Sequence, residues 1–407
     1  MFSFKICHNL FHPSGKGLLV LSGQKWFQHR RLLTPAFHYD VLKPYVRLMS
    51  DCVNVMLDKW EHIIPDKKPV ELFHHVSLMT LDTIMKCAFS YQSNCQNDRS
   101  VFGDSITSFH YLTYLTYRFV CLPYHSDILF HLSPHGFRFR RALRTAHQHT
   151  DGVIKERKES LKEDKELEKI LQKRHLDFLD ILLCAKDEKG QGLSDEDLRA
   201  EVNTFMFEGH DTTASGISWT LYCMAKYPEH QEKCREEIKE VLGDRETVEW
   251  EDLGKMPYTT MCIKESMRLY PPVPGVAREL TSPITFSDGR SLPKDIRKLW
   301  NCFSVGDLNN NCLSCFQIFD PLRFSPENAS KRHSHAFLPF SAGSRNCIGQ
   351  NFAMNEMKVA LALTLQRFEL YPDKEQEPLI LAQLILRSLN GVHLYLKKID
   401  SSKKTKV

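Results

Sequence analysis

One cysteine near the carboxyl end of the chain lies where it could bind a metal as a thiolate. Cys347 is in a loop rich in Gly and Ser, residues 337–349, close to the start of a helix. The positive end of such a helix favours a thiolate over a thiol. Gly343 and Gly349 have no Cβ, so a flat macrocycle can lie against the backbone, and Arg345 is placed to pair with an acidic group on its edge. The pattern predicts the axial ligand of a macrocycle-bound iron; a buried structural cysteine is the alternative.

Polar residues in the middle of the longest helical pattern form a second candidate site. The pattern runs from Ser194 to Tyr227 and is apolar or small nearly all round after residue 201, so we expect a buried helix. Its centre, residues 205–213, reads Phe-Met-Phe-Glu-Gly-His-Asp-Thr-Thr. Asp211 and Thr212 form an acid–alcohol pair that can relay protons. A distorted core helix with satisfied polar groups is the alternative.

A carboxylate in the middle of this helix raises a separate question. Desolvation disfavours the charged form of Glu208, so we expect it to be neutral, paired or covalently used. Gly209 beside it is expected to leave room for a small ligand. Helical spacing predicts one face that carries Phe205, Glu208, Gly209, Thr212, Gly216 and Trp219.

An acid and a base at helical spacing form a third motif. Glu265 and Arg268 are three residues apart and can pair on one face of a helix. Most such pairs are solvated surface features, which is the alternative here. The motif gains interest because the helix continues into Leu-Tyr-Pro-Pro-Val-Pro, residues 269–274.

Composition argues for a globular chain in a reducing compartment. The 407 residues carry a formal net charge of +4, which is too small to indicate nucleic-acid binding. The 13 cysteines are scattered and odd in number, unlike a disulfide framework. Cys312 and Cys315 form a Cys-x-x-Cys without a second pair at zinc-site spacing, so we interpret them as unrelated thiols. The sequence as it stands shows neither a signal peptide nor a long apolar stretch that would anchor it in a membrane.

The elements that must position these residues are mostly helices. Charge-rich residues 155–174 are expected to form a solvated helix or loop, and residues 281–292 a small hairpin with an Asp-Gly turn at 288–289. Helical periodicity or stop signals predict further helices at 41–60, 72–89, 229–242, 261–270 and 348–368. We therefore predict a mainly α fold with small peripheral β-sheets, and one domain over residues 1–407.

Taken together, the three motifs resemble the cytochrome P-450 family. The loop around Cys347, the pairs Glu265/Arg268 and Asp211/Thr212, and Phe-Asp-Pro-Leu-Arg-Phe at 319–324 match its pattern. The chain is more closely similar to the fourth family, especially its F branch of fatty-acid and leukotriene ω-hydroxylases. That similarity lies in residues 205–216, in Leu-Leu-Thr-Pro-Ala-Phe at 32–37 and in Cys-Ile-Lys-Glu-Ser-Met-Arg-Leu at 262–269. The resemblance implies the cytochrome P-450 fold, without its N-terminal part.

The resemblance also implies a role for single residues. Cys347 would be the axial thiolate ligand of haem b, and Asp211 and Thr212 would deliver protons. Glu208 matches the glutamate that many members of the family use to esterify a haem methyl group; a protonated acid hydrogen-bonded within its own helix is the alternative. The resemblance further places Trp26, Arg30, Arg278 and Arg345 near the haem propionates, and Glu265, Arg268 and Arg323 in a structural ion-pair network behind the haem.

The implied reaction inserts one atom of O2 into the end of the acyl chain of a fatty acid or eicosanoid. The other atom leaves as water, and an NADPH-dependent reductase supplies the electrons, so NADPH acts only indirectly. The resemblance further implies a protein at the cytoplasmic face of the endoplasmic reticulum membrane, in contact with the membrane surface and without a nucleic-acid partner.

Two departures from the family pattern leave alternatives open. Recognisable sequence starts near Trp26 and Arg30, and residues 297–317 do not resemble the family. A non-catalytic or unstable remnant of such an enzyme is therefore one alternative. A haem-thiolate isomerase or dehydratase is another, and Asp211 with Thr212 argues against it.

Overall fold

A computed structural model gives the fold of the chain. It describes residues 16–64, 68–97, 121–162, 176–184, 190, 192–294, 297–301 and 317–399. Twelve α-helices are described, and short 3-10 turns join several of them. In chain order the helices are α1 Gly23–Leu33, α2 Tyr39–Leu42, α3 Tyr45–Ile63, α4 Leu72–Phe89, α5 Asp127–Leu132, α6 Pro134–Ser160, α7 Phe178–Cys184, α8 Asp195–Lys226, α9 Pro228–Leu242, α10 Pro257–Leu269, α11 Pro326–Ala329 and α12 Gln350–Arg367.

The described strands are short and antiparallel. The strands are β1 Val70–Glu71, β2 Gly275–Glu279, β3 Ile284–Thr285, β4 Ser291–Leu292, β5 Arg297–Asn301, β6 Phe368–Pro372, β7 Ile380–Ala382, β8 Leu386–Ser388 and β9 His393–Lys398. Strand β9 lies between β1 and β6 in a three-stranded sheet, while β2 pairs with β5, β3 with β4, and β7 with β8. The prediction of a mainly α fold with small peripheral sheets is confirmed.

Helix α8 is the central element. Its 32 residues are largely buried, as its continuous apolar sequence predicts. The hydroxyl of Ser194 accepts a hydrogen bond from the Asp197 N–H at 3.1 Å and so caps its first turn. Pro228 begins the next helix and ends this one. Helices α4, α10 and α12 pack around it, which places the three sequence motifs on neighbouring elements.

Amphipathic patterns identified the other core helices. The face of α3 that carries Val46, Met49, Val53, Met56 and Leu57 is fully buried. The hairpin at 284–292 also forms, with Gly289 at φ +83 in its turn. One continuous hydrophobic cluster joins residues from Leu18 to Leu394. This cluster agrees with a single domain, which stays a prediction.

The segment that departs from the family pattern is described only in part. Residues 297–301 form β5, which pairs with β2 in antiparallel register. Cys312 and Cys315 lie outside the described residues, as does most of the charge-rich stretch after residue 162. Among the helices that the structure does describe, none combines the length and the apolar character that a membrane span requires.

Candidate functional site

The loop before α12 holds the Cys347 side chain in a defined position. The Cys347 N–H donates to the Phe340 carbonyl at 2.9 Å, and the Asn346 N–H donates to the Gly343 carbonyl at 3.1 Å. Gly343 has φ +81, a conformation that glycine adopts without strain. The same region is occupied by Ser341 at φ +60, a non-glycine residue under backbone strain.

The Cys347 side chain combines solvent access with crowded surroundings. The side chain is solvent-accessible, yet protein surrounds it closely enough that burial raises the pKa of its thiol to about 11. The nearby Glu208 carboxylate raises this pKa further, whereas a hydrogen bond from the Gly349 N–H and the charge of Arg30 lower it. The sulfur is therefore open to a ligand, although charged groups of the protein act on it at close range.

One stripe of the otherwise buried helix α8 is partly exposed. Between residues 200 and 225, every position is buried except four, which are Thr204, Glu208, Gly209 and Thr212. Spacings of four, one and three residues put these positions on one helical face. Burial raises the pKa of Glu208 to about 8; the Glu201 carboxylate adds to this and Arg30 opposes it. Glu208 is therefore largely a neutral acid at pH 7.

Helix α1 brings two of the predicted residues to the cysteine loop. The two terminal nitrogens of Arg30 donate to the carbonyl and the side-chain oxygen of Asn346, at 2.9 and 2.8 Å. The Arg345 guanidinium lies 4.3 Å from the ring centre of Trp26 and donates to the Leu21 carbonyl at 2.5 Å. The Cys347 loop and α1 therefore form one surface.

Charged pairs fix α1 against the first turns of α8. His29 Nδ1 lies 2.6 Å from Glu201 Oε1, and both side chains are almost fully buried. Lys25 binds Asp197 at 2.5 Å. Sequence reasoning missed both pairs, because residues 172 positions apart give no local signal.

Two arginines with like charge lie near each other at the edge of the site. Arg278, from β2, donates to the Ser341 hydroxyl at 3.4 Å. The pKa of Arg345 is lowered by burial and then by the positive charge of Arg278. Two neighbouring guanidinium groups favour an anion between or beside them.

Asp211 and Thr212 do not bind each other. A terminal nitrogen of Arg387, on β8, donates to both oxygens of the buried Asp211 carboxylate at 2.6 and 2.8 Å. The Thr212 hydroxyl donates to the Glu208 carbonyl at 2.7 Å. Arg387 also lies over the ring of Phe73, 4.5 Å from its centre. Sequence reasoning missed Arg387, which comes 176 residues after its partner.

Gly209 has a different role from the one expected. A Cβ at this position would lie 2.7 Å from Cγ1 of Ile84, on α4. Ile84 therefore fills the space that was expected to take a ligand, and the glycine allows α4 and α8 to pack closely. Gly216 likewise lies against Met357, and Trp219 stacks on Tyr270 at 4.4 Å. The part of the expected face that is not buried is thus limited to Glu208, Gly209 and Thr212.

The third motif forms a buried charge cluster. Arg268 donates to both oxygens of Glu265 at 2.7 and 2.8 Å, and Arg323 Nε lies 3.4 Å from Glu265 Oε1. The Asp320 N–H adds a bond of 2.8 Å to the same oxygen. Glu265 is fully buried, so this pair is not the solvated surface pair that its spacing alone suggests. The structure brings all three predicted residues together.

Comparison with known proteins agrees with this arrangement. The family model described as cytochrome P-450 matches residues 2–394, so the chain belongs to the cytochrome P-450 family, the haem-thiolate monooxygenases. Cytochrome P-450 4A14 of Rattus norvegicus is 58% identical over 388 residues, which are 95% of this chain and 75% of that protein. Cytochrome P-450 4A11 of Homo sapiens is 59% identical over 388 residues, 95% of this chain and 74% of that protein. These names confirm the fourth family, but they carry its A designation and not the F designation that the sequence motifs suggested.

Proposed function

We propose that this chain is a fatty-acid ω-hydroxylase whose Cys347 thiolate binds the iron of haem b. The observation that carries the proposal is the accessible Cys347 sulfur, which lies close enough to Glu208 and Arg30 for their charges to act on its pKa. When bound, haem supplies the activation of O2, with electrons from an NADPH-dependent reductase. Cys347 would bind as a thiolate because the iron replaces the proton that burial otherwise retains.

The basic residues around the loop fit the acidic edge of a haem. Arg278 and Arg345 lie near each other, and two propionates would neutralise their positive charges. Arg30 binds Asn346 and Trp26 contacts Arg345, so both residues lie against the same loop. Among the described residues, a Cβ on Gly349 would have only Phe37 within 4 Å, and a Cβ on Gly343 would have no neighbour within that distance. Both glycines therefore leave room for a flat group.

Proton delivery is assigned to Asp211 and Thr212. The Thr212 side chain is partly exposed, and its hydroxyl, which donates to the Glu208 carbonyl, could turn from that bond to donate a proton on the haem side of the helix. Asp211 is buried and held by Arg387, so it can pass a proton only when that ion pair loosens. We infer that Arg387 positions Asp211 and limits its movement.

Glu208 is the second proposed attachment point for the haem. A carboxyl oxygen of Glu208 would replace one hydrogen of a haem methyl group. Peroxide, formed by two-electron reduction of O2, would be the oxidant, and the displaced hydrogen and the carboxyl proton would leave with its two oxygen atoms as two molecules of water. A neutral acid is already desolvated, so the ester would remove no stabilising charge pair. A haem fixed at its edge would make a rigid pocket that presents a terminal methyl group.

The buried cluster of Glu265, Arg268 and Arg323 would keep the segment around residue 320 in place beside α10. These three residues would act structurally, with no role in binding substrate. The substrate class, long-chain fatty acids or eicosanoids, and a location at the cytoplasmic face of the endoplasmic reticulum membrane follow from the resemblance to the fourth family.

A carbon monoxide difference spectrum of the reduced, haem-loaded protein tests the ligand assignment. We expect the thiolate-type spectrum for the wild type and its loss in Cys347→Ala. Cys184→Ala, at an exposed cysteine on α7, is the matched control and should keep the spectrum. A thiolate spectrum in Cys347→Ala would reject the assignment, and its absence in the wild type would favour a non-catalytic remnant. Fatty-acid conversion without NADPH and O2 would favour the isomerase alternative.

Mass spectrometry tests the ester. After turnover with reductase and NADPH, a fraction of the wild-type chain should carry the haem mass through acid and organic solvent. Glu208→Gln should carry none while still giving the thiolate spectrum. Haem that washes completely from the wild type would leave Glu208 as an ordinary buried acid.

A further inference from the structure

Two buried thiols meet where helices α9 and α10 pack together. Cys234 Sγ lies 3.5 Å from Cys262 Sγ, across a sequence separation of 28 residues. Both side chains are fully buried. A disulfide needs its sulfurs at about 2 Å, so the two atoms would have to approach by only roughly 1.5 Å. Cys234 and Cys262 are both free thiols in the structure.

The helices that carry the two thiols are held in fixed register next to them. Glu237, on α9, accepts hydrogen bonds from the backbone N–H groups of Tyr258 and Thr259 at 2.7 and 2.8 Å, and from the Thr259 hydroxyl at 2.6 Å. This carboxylate from one helix thus caps the first turn of the other. The meeting of the sulfurs is therefore a property of the packed helices.

We propose that Cys234 and Cys262 form an oxidation site at which hydrogen peroxide makes a disulfide between α9 and α10. One sulfur attacks a peroxide oxygen, the O–O bond breaks, and a sulfenic acid and water form. The second sulfur attacks the first and releases a second water molecule. Two thiols thus lose two hydrogens and two electrons, which the peroxide accepts.

Burial sets the rate and the consequence of this oxidation. The hydrogen bond to Cys234, and then desolvation, raise the pKa of the Cys262 thiol, so the pair reacts more slowly than an exposed thiol such as Cys184. Cys262 comes three residues before Glu265, which puts both residues on one face of α10. The cross-link would therefore tie the turn that carries the buried charge cluster to α9.

Peptide mapping of the full-length, haem-loaded protein tests the proposal. The protein is treated with graded hydrogen peroxide or, in parallel, with the thiol oxidant diamide. Free thiols are then blocked with N-ethylmaleimide in acidic denaturant before digestion without reductant. We expect a peptide pair that joins Cys234 to Cys262, is lighter by two hydrogens and separates with dithiothreitol. If both cysteines are recovered as blocked thiols after peroxide has oxidised Cys184, the proposal is wrong.

Variants and a stability measurement separate this pair from its neighbour. Cys223, on α8, is buried nearby and influences the Cys262 thiol electrostatically. Cys223→Ser should keep the Cys234–Cys262 link, whereas Cys262→Ser should lose it; a link from Cys262 to Cys223 in the wild type would overturn the assignment. Wild type oxidised by diamide should unfold at a midpoint several degrees higher than its reduced form, and a lower midpoint would contradict a link that native packing prepares.

Discussion

Replacing Gly209 by alanine should strain the contact between α8 and α4. The new Cβ would lie 2.7 Å from Cγ1 and 2.8 Å from Cδ1 of Ile84, whose side chain is 2% exposed and has little room to turn. Overpacking of a core by one methyl group costs about 1–3 kcal/mol. Alanine regains about 1 kcal/mol of helix propensity over glycine. We therefore expect the free energy of unfolding to fall, by up to about 2 kcal/mol.

Gly152→Ala is the matched control. Gly152 is exposed in the interior of α6, with nothing within 4 Å of a built Cβ. The same substitution there should stabilise the protein by up to about 1 kcal/mol, because only helix propensity changes. Urea unfolding of wild type and both variants, followed by circular dichroism, gives the two shifts with opposite signs.

A double-mutant cycle tests the contact itself. Ile84→Ala removes both atoms that the new methyl group would meet and alone costs about 2–5 kcal/mol. In the Gly209→Ala/Ile84→Ala protein the alanine fills part of the cavity, so the two effects should be less than additive by at least about 0.5 kcal/mol. Additive losses, or a Gly209→Ala protein as stable as the wild type, would refute the reasoning.

Four further predictions concern the polar residues of the site. Thr212→Ala should keep the bound haem but lower the product formed per NADPH consumed, measured by paired NADPH and product assays, and unchanged coupling would contradict a proton relay. Arg387→Met should destabilise the protein by about 3 kcal/mol in urea unfolding, because it leaves the buried Asp211 carboxylate unpaired, whereas Lys397→Met, at an exposed pair, should change stability by less than about 1 kcal/mol. In the haem-free chain, the pKa of Glu208 is raised to about 8, so the folded state binds the Glu208 proton more tightly than the unfolded state does. The free energy of unfolding should therefore fall as pH rises from about 4.5 to about 8. Glu208→Gln should flatten that fall, and an unchanged slope would show that Glu208 is not buried as an acid. Glu265→Gln should cost about 3–5 kcal/mol, because two arginines lose their buried carboxylate, and a loss below about 1 kcal/mol would show that the cluster is solvated.

The elements of the fold were largely predictable because their signals are local. The range 72–89 predicted for α4 agrees with Leu72–Phe89. An apolar run without proline forms this helix, and the helix ends at Ser90, whose backbone is in the left-handed conformation at φ +46. The end of α8 before Pro228 follows from the missing N–H of proline. The buried face of α3 follows from helical periodicity.

The partners of the site residues were not predictable, because they depend on packing between distant segments. The sequence marks Asp211 as a buried acid but does not indicate Arg387 as its partner. Gly209 indicates close packing or an open space equally well, and only the position of Ile84 decides between them. Glu356 shows the same limit. It is fully buried on α12, where burial raises the pKa of its carboxyl well above the usual range.

The pairing of Asp211 with Arg387 also bears on the order in which the site is completed during synthesis. A ribosome releases α8 long before it releases β8, because 176 residues separate the two partners. Until Arg387 emerges, a chain that buried α8 would carry the Asp211 carboxylate without its counter-ion, which is unfavourable. The acid side of the pocket can therefore close only after Cys347 is already outside the ribosome. Haem capture and final closure of the pocket then both belong to the finished polypeptide, and a chain that stops before β8 would expose an unpaired acid to the machinery that removes incomplete proteins.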